Sequence, residues 1–457
     1  MQSAKMNLLQ FHFRQFIIAY ALSIALASGF LTASAQSHPE AVKNNKMDWF
    51  QDAKLGIFIH WGIYAVNGID ESWSFYNEYL SHDAYLKQVD GFTADQYQPA
   101  YWAKLIKDSG AKYAVITAKH HDGFALWDSK YGSLNVMNSP ARRDLIGPFV
   151  ESLRSQSLKV GLYYSLPDWS YPDYPNATGT KKRYQDDSVR WKRFTTYNHN
   201  QLKELSSRYR PDLFWFDGDW EFSAESWKSK EMSDFLRADN PAVIVNSRLS
   251  GYGDYATPEQ GVPIVKPQTK YWELCMTMND SWGYQGNDTN YKTTNQIIRI
   301  FVDCLSMGGN LLLDIGPKAN GTIPAEQVRI LEELGRWTSK HGEAIYGTRS
   351  GLPSGHYYGP STLSANGETL YLFITQIPRY PIVLKGLKNQ INRIRIVGEG
   401  TKLTHQIVGK MYWSEVPGLI YIDIPKEKLD KQVTVIAIQL KGKIALYRED
   451  GAPIESN

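Results

Sequence analysis

The chain has 457 residues, 42% hydrophobic and 13% aromatic, with 14 Trp and 29 Tyr; this is a folded composition with room for more than one core, and it excludes a disordered or low-complexity chain. A formal net charge of only +3 excludes the polybasic character that nucleic acids and anionic membranes select, so no nucleic-acid partner is expected. Two cysteines, Cys275 and Cys304, are too few for a disulfide framework and read as small buried hydrophobes, with their pairing left open.

Residues 1–35 carry Lys5 and Arg14, then a mostly apolar run from 16 to 31, then small residues at 33 and 35. That order predicts a secretory signal peptide cut after Ala35; a membrane anchor is the competing reading, because the apolar run is only a little shorter than a span. No cysteine lies near the cut, which argues against a lipid anchor. Nothing later in the chain reads as transmembrane, so the mature protein is expected to be exported, periplasmic or extracellular.

Beyond the leader, apolar runs at 55–62, 112–124, 159–165, 212–217, 242–248, 270–275 and 310–317 read as strands. Between them, helical periodicity covers 101–110, 142–158, 187–209, 294–308 and 325–342. Continuous apolar strands alternating with helices mean parallel strands covered on both faces. Seven strands, with a cryptic eighth expected near 343–347, predict an α/β fold: a (β/α)8-like TIM barrel over residues 36–349. An open doubly wound sheet competes, but "FIHWGIYAVNG" lacks the glycine-rich phosphate turn such a sheet carries after its first strand. From 350 to 457 the texture becomes period-two, at 368–375, 391–397, 418–424 and 432–440. This predicts a C-terminal antiparallel β-sandwich packed on the barrel.

In a barrel, functional groups gather where the strands end. The strand ends here supply His60 and Trp61, then His120, His121 and Asp122, Tyr163 and Tyr164, Asp217, Asn246 with Arg248, Glu273, and Asp314. The stretch "LFWFDGDW" (213–220) puts Asp217 and Asp219 among tryptophans, and aromatic faces pack against the C–H patches of sugar rings. Gly218 argues that the strand stops at Asp217, leaving Asp219 to a loop or cap. Cleaving a glycosidic bond needs one protonated and one ionised carboxyl group, for which Asp217 and Glu273 leave strands four and six, close enough around a barrel mouth to face across a bound ring. The three histidines suit sugar hydroxyls, while a divalent metal site with Asp217 and a purely structural role stay open. Arg248 would orient a carboxylate with paired donors or close a structural salt bridge.

The segments "KLGIFIHWGIYAV", "TAKHHDGFALWDS", "VGLYYSLPDW", "LFWFDGD", "YWELCMTMNDSWGY" and "GGNLLLDIGP" resemble the signature segments of the glycoside hydrolase family 29 alpha-L-fucosidases, in order from about Met47 to Trp337. The resemblance implies a retaining exo-hydrolysis of terminal alpha-L-fucosyl residues on fucosylated oligosaccharides or glycoconjugates, without cofactor or metal. It implies Asp217 as nucleophile and Glu273 as acid/base, with His60, Trp73, His120, His121, Tyr164, Trp215 and Arg248 binding fucose. This chain departs from members that place glutamate directly before the tryptophan: Ser72 stands between Glu71 and Trp73, and Glu71 is a rival for the acid/base role. A hydrolase of alpha-L-galactosides and an inactive fucose-binding protein are the alternative readings.

Overall fold

The computed structural model describes residues 45–447, so the expected signal peptide at 1–35 lies outside the described residues. Seven strands form one all-parallel sheet: β1 (Leu55–Ile59), β2 (Tyr113–Lys119), β3 (Lys159–Ser165), β4 (Leu213–Asp217), β5 (Ile244–Val245), β6 (Glu273–Thr277) and β7 (Asn310–Ile315). Their order is β5-β4-β3-β2-β1-β7-β6. Nearly every residue of these strands is buried, as expected for a sheet curled with helices outside and its own side chains inside.

The predicted eighth strand at 343–347 does not form; residues Gly342–Ala344 make a 3-10 turn after the last barrel helix. The gap lies elsewhere, between β5 and β6, and an irregular stave at 255–259 fills it. Tyr255 bridges Asn246 in parallel on one side, while Ala256 and Glu259 bridge Trp272 and Cys275 on the other. The amides of Glu273 and Cys275 donate to the carbonyls of Ala256 and Pro258, at 2.9 and 3.1 Å. Pro258, Pro263 and Pro267, with Gly251, Gly253 and Gly261, explain why this stave is neither a regular strand nor followed by a crossover helix.

Two apolar cores follow from strand alternation. Leu55, Ile57, Ile59, Ala114, Ile116, Phe214 and Phe216 face the helices. Phe58, Tyr113, Val115, Tyr163, Leu213, Trp215, Ile244, Cys275 and Leu312 fill the barrel interior, joined by Tyr255 of the irregular stave and by Phe50 of the helix Asp48–Ala53. Phe50 marks the amino-terminal floor: its carbonyl accepts from Nδ2 of Asn310, the first residue of β7, and its ring lies 4.5 Å from that of Tyr255. Gly56 is required there, because a Cβ would sit 2.4 Å from the Tyr113 ring.

The remaining strands are β8 (Arg349–Ser350), β9 (Ser361–Leu363), β10 (Thr369–Ile374), β11 (Ile382–Lys385), β12 (Ile391–Ile396), β13 (His405–Val408), β14 (Leu419–Ile422) and β15 (Thr434–Leu440). They form antiparallel sheets ordered β12-β15-β10-β9-β8 and β11-β14-β13, with Leu370, Leu372, Leu384, Ile394, Ile420, Ile436 and Ile438 between them. The outer face of the larger sheet packs Tyr371, Phe373, Val435 and Ala437 into the barrel's helix-side core. Trp337 Nε1 donates to the Val433 carbonyl across that seam at 2.8 Å. Cys275 and Cys304 are both free and buried. No helix among the described residues is long and apolar enough to cross a membrane.

Candidate active site

Alternation along β4 turns Leu213, Trp215 and Asp217 inward, and Asp217 is the last residue of the strand. Gly218 then takes φ +84°, where a Cβ would meet Pro167 Cδ at 2.2 Å, so the strand ends as the sequence indicates. Asp219 begins a 3-10 turn, and its Oδ2 accepts from Ser250 Oγ at 3.0 Å rather than entering the barrel. Asp217 is 8% exposed. Its Oδ1 accepts from Arg248 Nη1 at 2.7 Å and its Oδ2 from the Tyr163 hydroxyl at 2.9 Å, with His121 Nε2 at 3.5 Å. An ionised carboxylate so deep stays charged only with such donors around it.

His60, His120 and His121 all follow the ends of β1 and β2, so the two neighbours on β2 are free of strand alternation and both join the site; their rings lie 4.5 Å apart. Each is gripped through Nδ1: His60 by Asp314 Oδ1 at 2.7 Å, His120 by Ser72 Oγ at 2.6 Å, and His121 by Ser165 Oγ at 2.6 Å. That leaves Nε2 of His60 and His120 as the hydrogen-bonding atom for a ligand. Burial, and then the neighbouring imidazole His120 or His121, holds His60 and His120 well below the usual histidine range. Burial and the Lys119 charge bring His121 down to about 3. Burial likewise pushes Asp314 well above the carboxylate range, with Glu71 adding to it. These are neutral imidazoles suited to hydroxyl groups. Ser72, the inserted residue of "ESW", is fully buried, and its Oγ also accepts from the Asp122 amide at 2.7 Å. The insertion therefore ties the Trp73 turn to the histidine pair.

Aromatic rings complete the wall. Tyr163 is nearly parallel to Trp215 at 5.7 Å and to His120 at 5.6 Å. Arg248 lies over the Trp215 ring at 4.7 Å, Trp73 meets His121 edge-on at 5.6 Å, and Trp282 stands 4.9 Å from His60. Tyr164, expected to bind substrate, is not here. Tyr164 pairs in register with Phe216 and faces the helices, its hydroxyl donating to Gln201 Oε1 at 2.9 Å. Tyr163, in register with the inward Trp215, takes the place.

Glu273, expected as the acid/base, is at the other end of the barrel. It is the first residue of β6, in register with Asn310 at the floor, and is 0% exposed. It accepts from the Tyr113 hydroxyl and, at 3.1 Å, from Trp215 Nε1. Burial, which outweighs these two bonds, raises it to about 7. Trp215 thus lies between Glu273 and the level of Asp217. Glu71 is also buried, and its Oε1 accepts from the Gly283 amide. Burial raises Glu71 to about 7, with Asp70 and Asp122 rather than Asp217 as its charged neighbours.

A carboxylate linked to Asp217 through a shared partner is Glu259. Arg248 donates Nη1 to Asp217 and Nη2 to Glu259 Oε2, at 2.7 and 2.5 Å, so one guanidinium spans both acids. Glu259 rides the irregular stave, its side chain 40% exposed. Sequence reading passed over it because no strand pattern surrounds it. The absence of an eighth apolar run after 248, where a barrel requires one, was the available signal. Asp217, His60, His120, His121, Trp73, Trp215 and Arg248 are brought together; Glu273 and Tyr164 are not. Among the described residues no cluster of His, Cys, Asp and Glu has the arrangement to hold a metal ion.

Known proteins resemble this chain over most of its length. Residues 26–343 match the family model described as Alpha-L-fucosidase. An alpha-L-fucosidase from Branchiostoma floridae is 33% identical over 336 residues, 66% of this chain and 72% of that protein. Rat tissue alpha-L-fucosidase is 34% identical over 333 residues, 66% of this chain and 70% of its own length. Alpha-L-fucosidase isoenzyme 1 from Paenibacillus thiaminolyticus superimposes with a TM-score of 0.80 at 34% identity, covering 87% of this chain and 99% of that one. An alpha-L-fucosidase from Bacteroides thetaiotaomicron, solved as a trapped covalent intermediate, does so with a TM-score of 0.78 at 29% identity, covering 87% and 96%. A curled parallel barrel with a sandwich behind it, a donor-bound aspartate among neutral histidines and aromatic rings, and these matches have one common explanation: the chain belongs to the alpha-L-fucosidase family, glycoside hydrolase family 29.

Proposed function

We propose that this retaining exo-alpha-L-fucosidase uses Asp217 as nucleophile and Glu259, not Glu273, as acid/base. The observation that carries the assignment is the Arg248 fork between the two carboxylates. Two acids on one guanidinium are separated by its width and two hydrogen bonds. That places them close enough to act on one anomeric centre; a retaining pair is expected at about 5–5.5 Å and an inverting pair at roughly 6.5–9.5 Å.

Asp217, immobilised by Tyr163 and Arg248, attacks the anomeric carbon while Glu259 gives its proton to the departing glycosidic oxygen. The C–O bond breaks, an aspartyl–fucosyl ester forms, and the leaving group departs as an alcohol. Glu259, now a carboxylate, takes a proton from water as the water oxygen attacks the same carbon. L-fucose leaves with retained configuration and both acids return to their starting states. Neutral His60 and His120 present Nε2 to ring hydroxyls, and Trp73, Trp282 and Tyr163 supply apolar surface for the sugar's C–H face. Glu71, buried with its Oε1 accepting from the Gly283 amide, is assigned to substrate binding. Burial of Glu273 under Trp215 supports a role in holding that ring.

Fucosylated oligosaccharides or glycoconjugates are the substrates this reading implies, and the leader at 1–35 supports export to the periplasm or beyond. The test is to incubate the Glu259→Gln protein with a 2-fluoro-fucosyl fluoride and map the adduct by peptide mass spectrometry. A label on Asp217 is expected; a label on another carboxylate ends the assignment. Comparing aryl alpha-L-fucoside with the matching alpha-L-galactoside separates the two sugars, which differ by one hydroxyl that an apolar pocket rejects only about a hundredfold.

A further inference from the structure

Trp220 lies three residues beyond Asp217, on the 3-10 turn Asp219–Glu221, and is 56% exposed. A lone exposed aromatic needs no function, but this one is held out by design of the residues on both sides. Asp219 is fixed through its carbonyl, which accepts from Trp227 Nε1 at 3.1 Å, and through Oδ2, which accepts from Ser250. Glu221 is fixed by Trp169 Nε1 at 2.8 Å, the Tyr174 hydroxyl at 2.5 Å and Asn176 Nδ2 at 2.7 Å. The flanking residues are thus clamped into a polar-aromatic frame while the indole between them is left uncovered. Its ring stands 6.0 Å from that of His121 at 78°, and His121 Nε2 is 3.5 Å from Asp217. A rigid, solvent-facing indole two contacts from the nucleophile adjoins the fucose pocket without belonging to its wall.

We propose that Trp220 is the stacking platform for the sugar ring that leaves with the glycosidic oxygen, making it a specificity-determining residue for fucosides whose leaving group is a pyranose. The proposal rests on the fucosidase reading above. Stacking requires an apolar ring face, which a pyranose presents through its axial C–H groups and a small leaving group lacks. Because the turn is already immobile, docking a sugar on it loses little conformational freedom, so the contact is available to orient the scissile bond. Binding energy from a non-reacting ring is converted to rate when it aligns the reacting centre, so the effect should appear in kcat/KM and not in KM alone.

The experiment compares hydrolysis of a fucosyl-alpha-1,4-N-acetylglucosamine disaccharide with that of alpha-L-fucosyl fluoride, whose leaving group has no ring. The quantity read is the ratio of the two kcat/KM values in the native enzyme, W220A and W220F. The ratio is expected to fall about fivefold to twentyfold in W220A and to recover in part in W220F. A ratio unchanged in W220A overturns the proposal, whether both substrates suffer equally or neither does. Failure of the native enzyme to turn over the fluoride would instead remove the fucosidase reading itself, so the two failures are distinguishable.

Discussion

Removing one carboxyl at a time separates the acid at the mouth from the acid at the floor. Among the described residues Glu259 makes one ion pair, to Arg248, from a side chain 40% exposed, so Glu259→Ala should cost no more than about 1 kcal/mol of stability. Its loss of proton transfer is a different order of effect: general acid catalysis contributes about 10²–10⁴-fold, or roughly 3–5.5 kcal/mol of barrier. That loss should depend on the leaving group, large for a sugar alcohol and small for fluoride or a nitrophenolate, which depart without protonation. Glu273→Ala has the opposite profile. It strands the Tyr113 hydroxyl and Trp215 Nε1 in a site with 0% exposure, at about 1–3 kcal/mol for each buried donor. The assay is kcat/KM across aryl and glycosyl fucosides of graded leaving-group acidity, paired with urea unfolding of each variant. A flat profile in Glu259→Ala, or a steep one in a folded Glu273→Gln protein, would refute the assignment.

Three further outcomes follow from the geometry. Asp217→Gly should abolish turnover, with azide restoring part of it by entering the space left at the anomeric carbon; unimpaired rates would remove Asp217 from the chemistry. Tyr163→Phe should lower kcat about tenfold or more through loss of a hydrogen bond to the nucleophile, whereas Tyr164→Phe should affect folding by about 0.5–1.5 kcal/mol and leave kcat near the native value; the two variants' kcat values decide it. Glu273, raised by burial from 4.5 to about 7 in the folded chain, binds more protons folded than unfolded between those values. Stability contributed by its neutral form is therefore complete below about pH 4.5 and declines toward pH 7, by at most about 3 kcal/mol; chemical denaturation at pH 5 and pH 7 should show a smaller decline for Glu273→Gln than for the native protein.

Legibility in the sequence tracked regularity of the backbone. Seven strands and five of the six described helices of ten or more residues are visible because burial on two faces, or on one stripe, imposes a period on side chains; the helix Ser229–Asp239 is not among the expected ones. The same logic located Asp217, which ends a strand against Gly218, and the histidines, which begin where β1 and β2 stop. Two placements differ from the expectation for reasons of period. Tyr163 and Tyr164 differ only in parity, and the parallel register of Tyr163 with Trp215 makes Tyr163 the inward one. The run 270–275 suggests a strand finishing near Glu273; β6 instead begins at Glu273, which puts the residue at the floor. The eighth stave has no period at all, since proline and glycine interrupt it, and its carboxylate became visible only through the Arg248 fork.

The contrast between Asp217 and Glu259 also has a chemical logic. A nucleophile must meet one atom from one direction, and Asp217 stands at the end of a regular strand, 8% exposed, with both oxygens held. An acid/base has two partners in turn, the departing oxygen and then a water molecule, and must admit the second after the first has left. On the proposed assignment Glu259 meets that requirement from an irregular stave, its side chain 40% exposed and paired with the Arg248 that also holds Asp217. Glu273, 0% exposed and bonded to Trp215 Nε1, is less suited to either task on this assignment. Regular secondary structure fixes the residue that must not move, and the break in regularity supplies the one that exchanges protons with solvent.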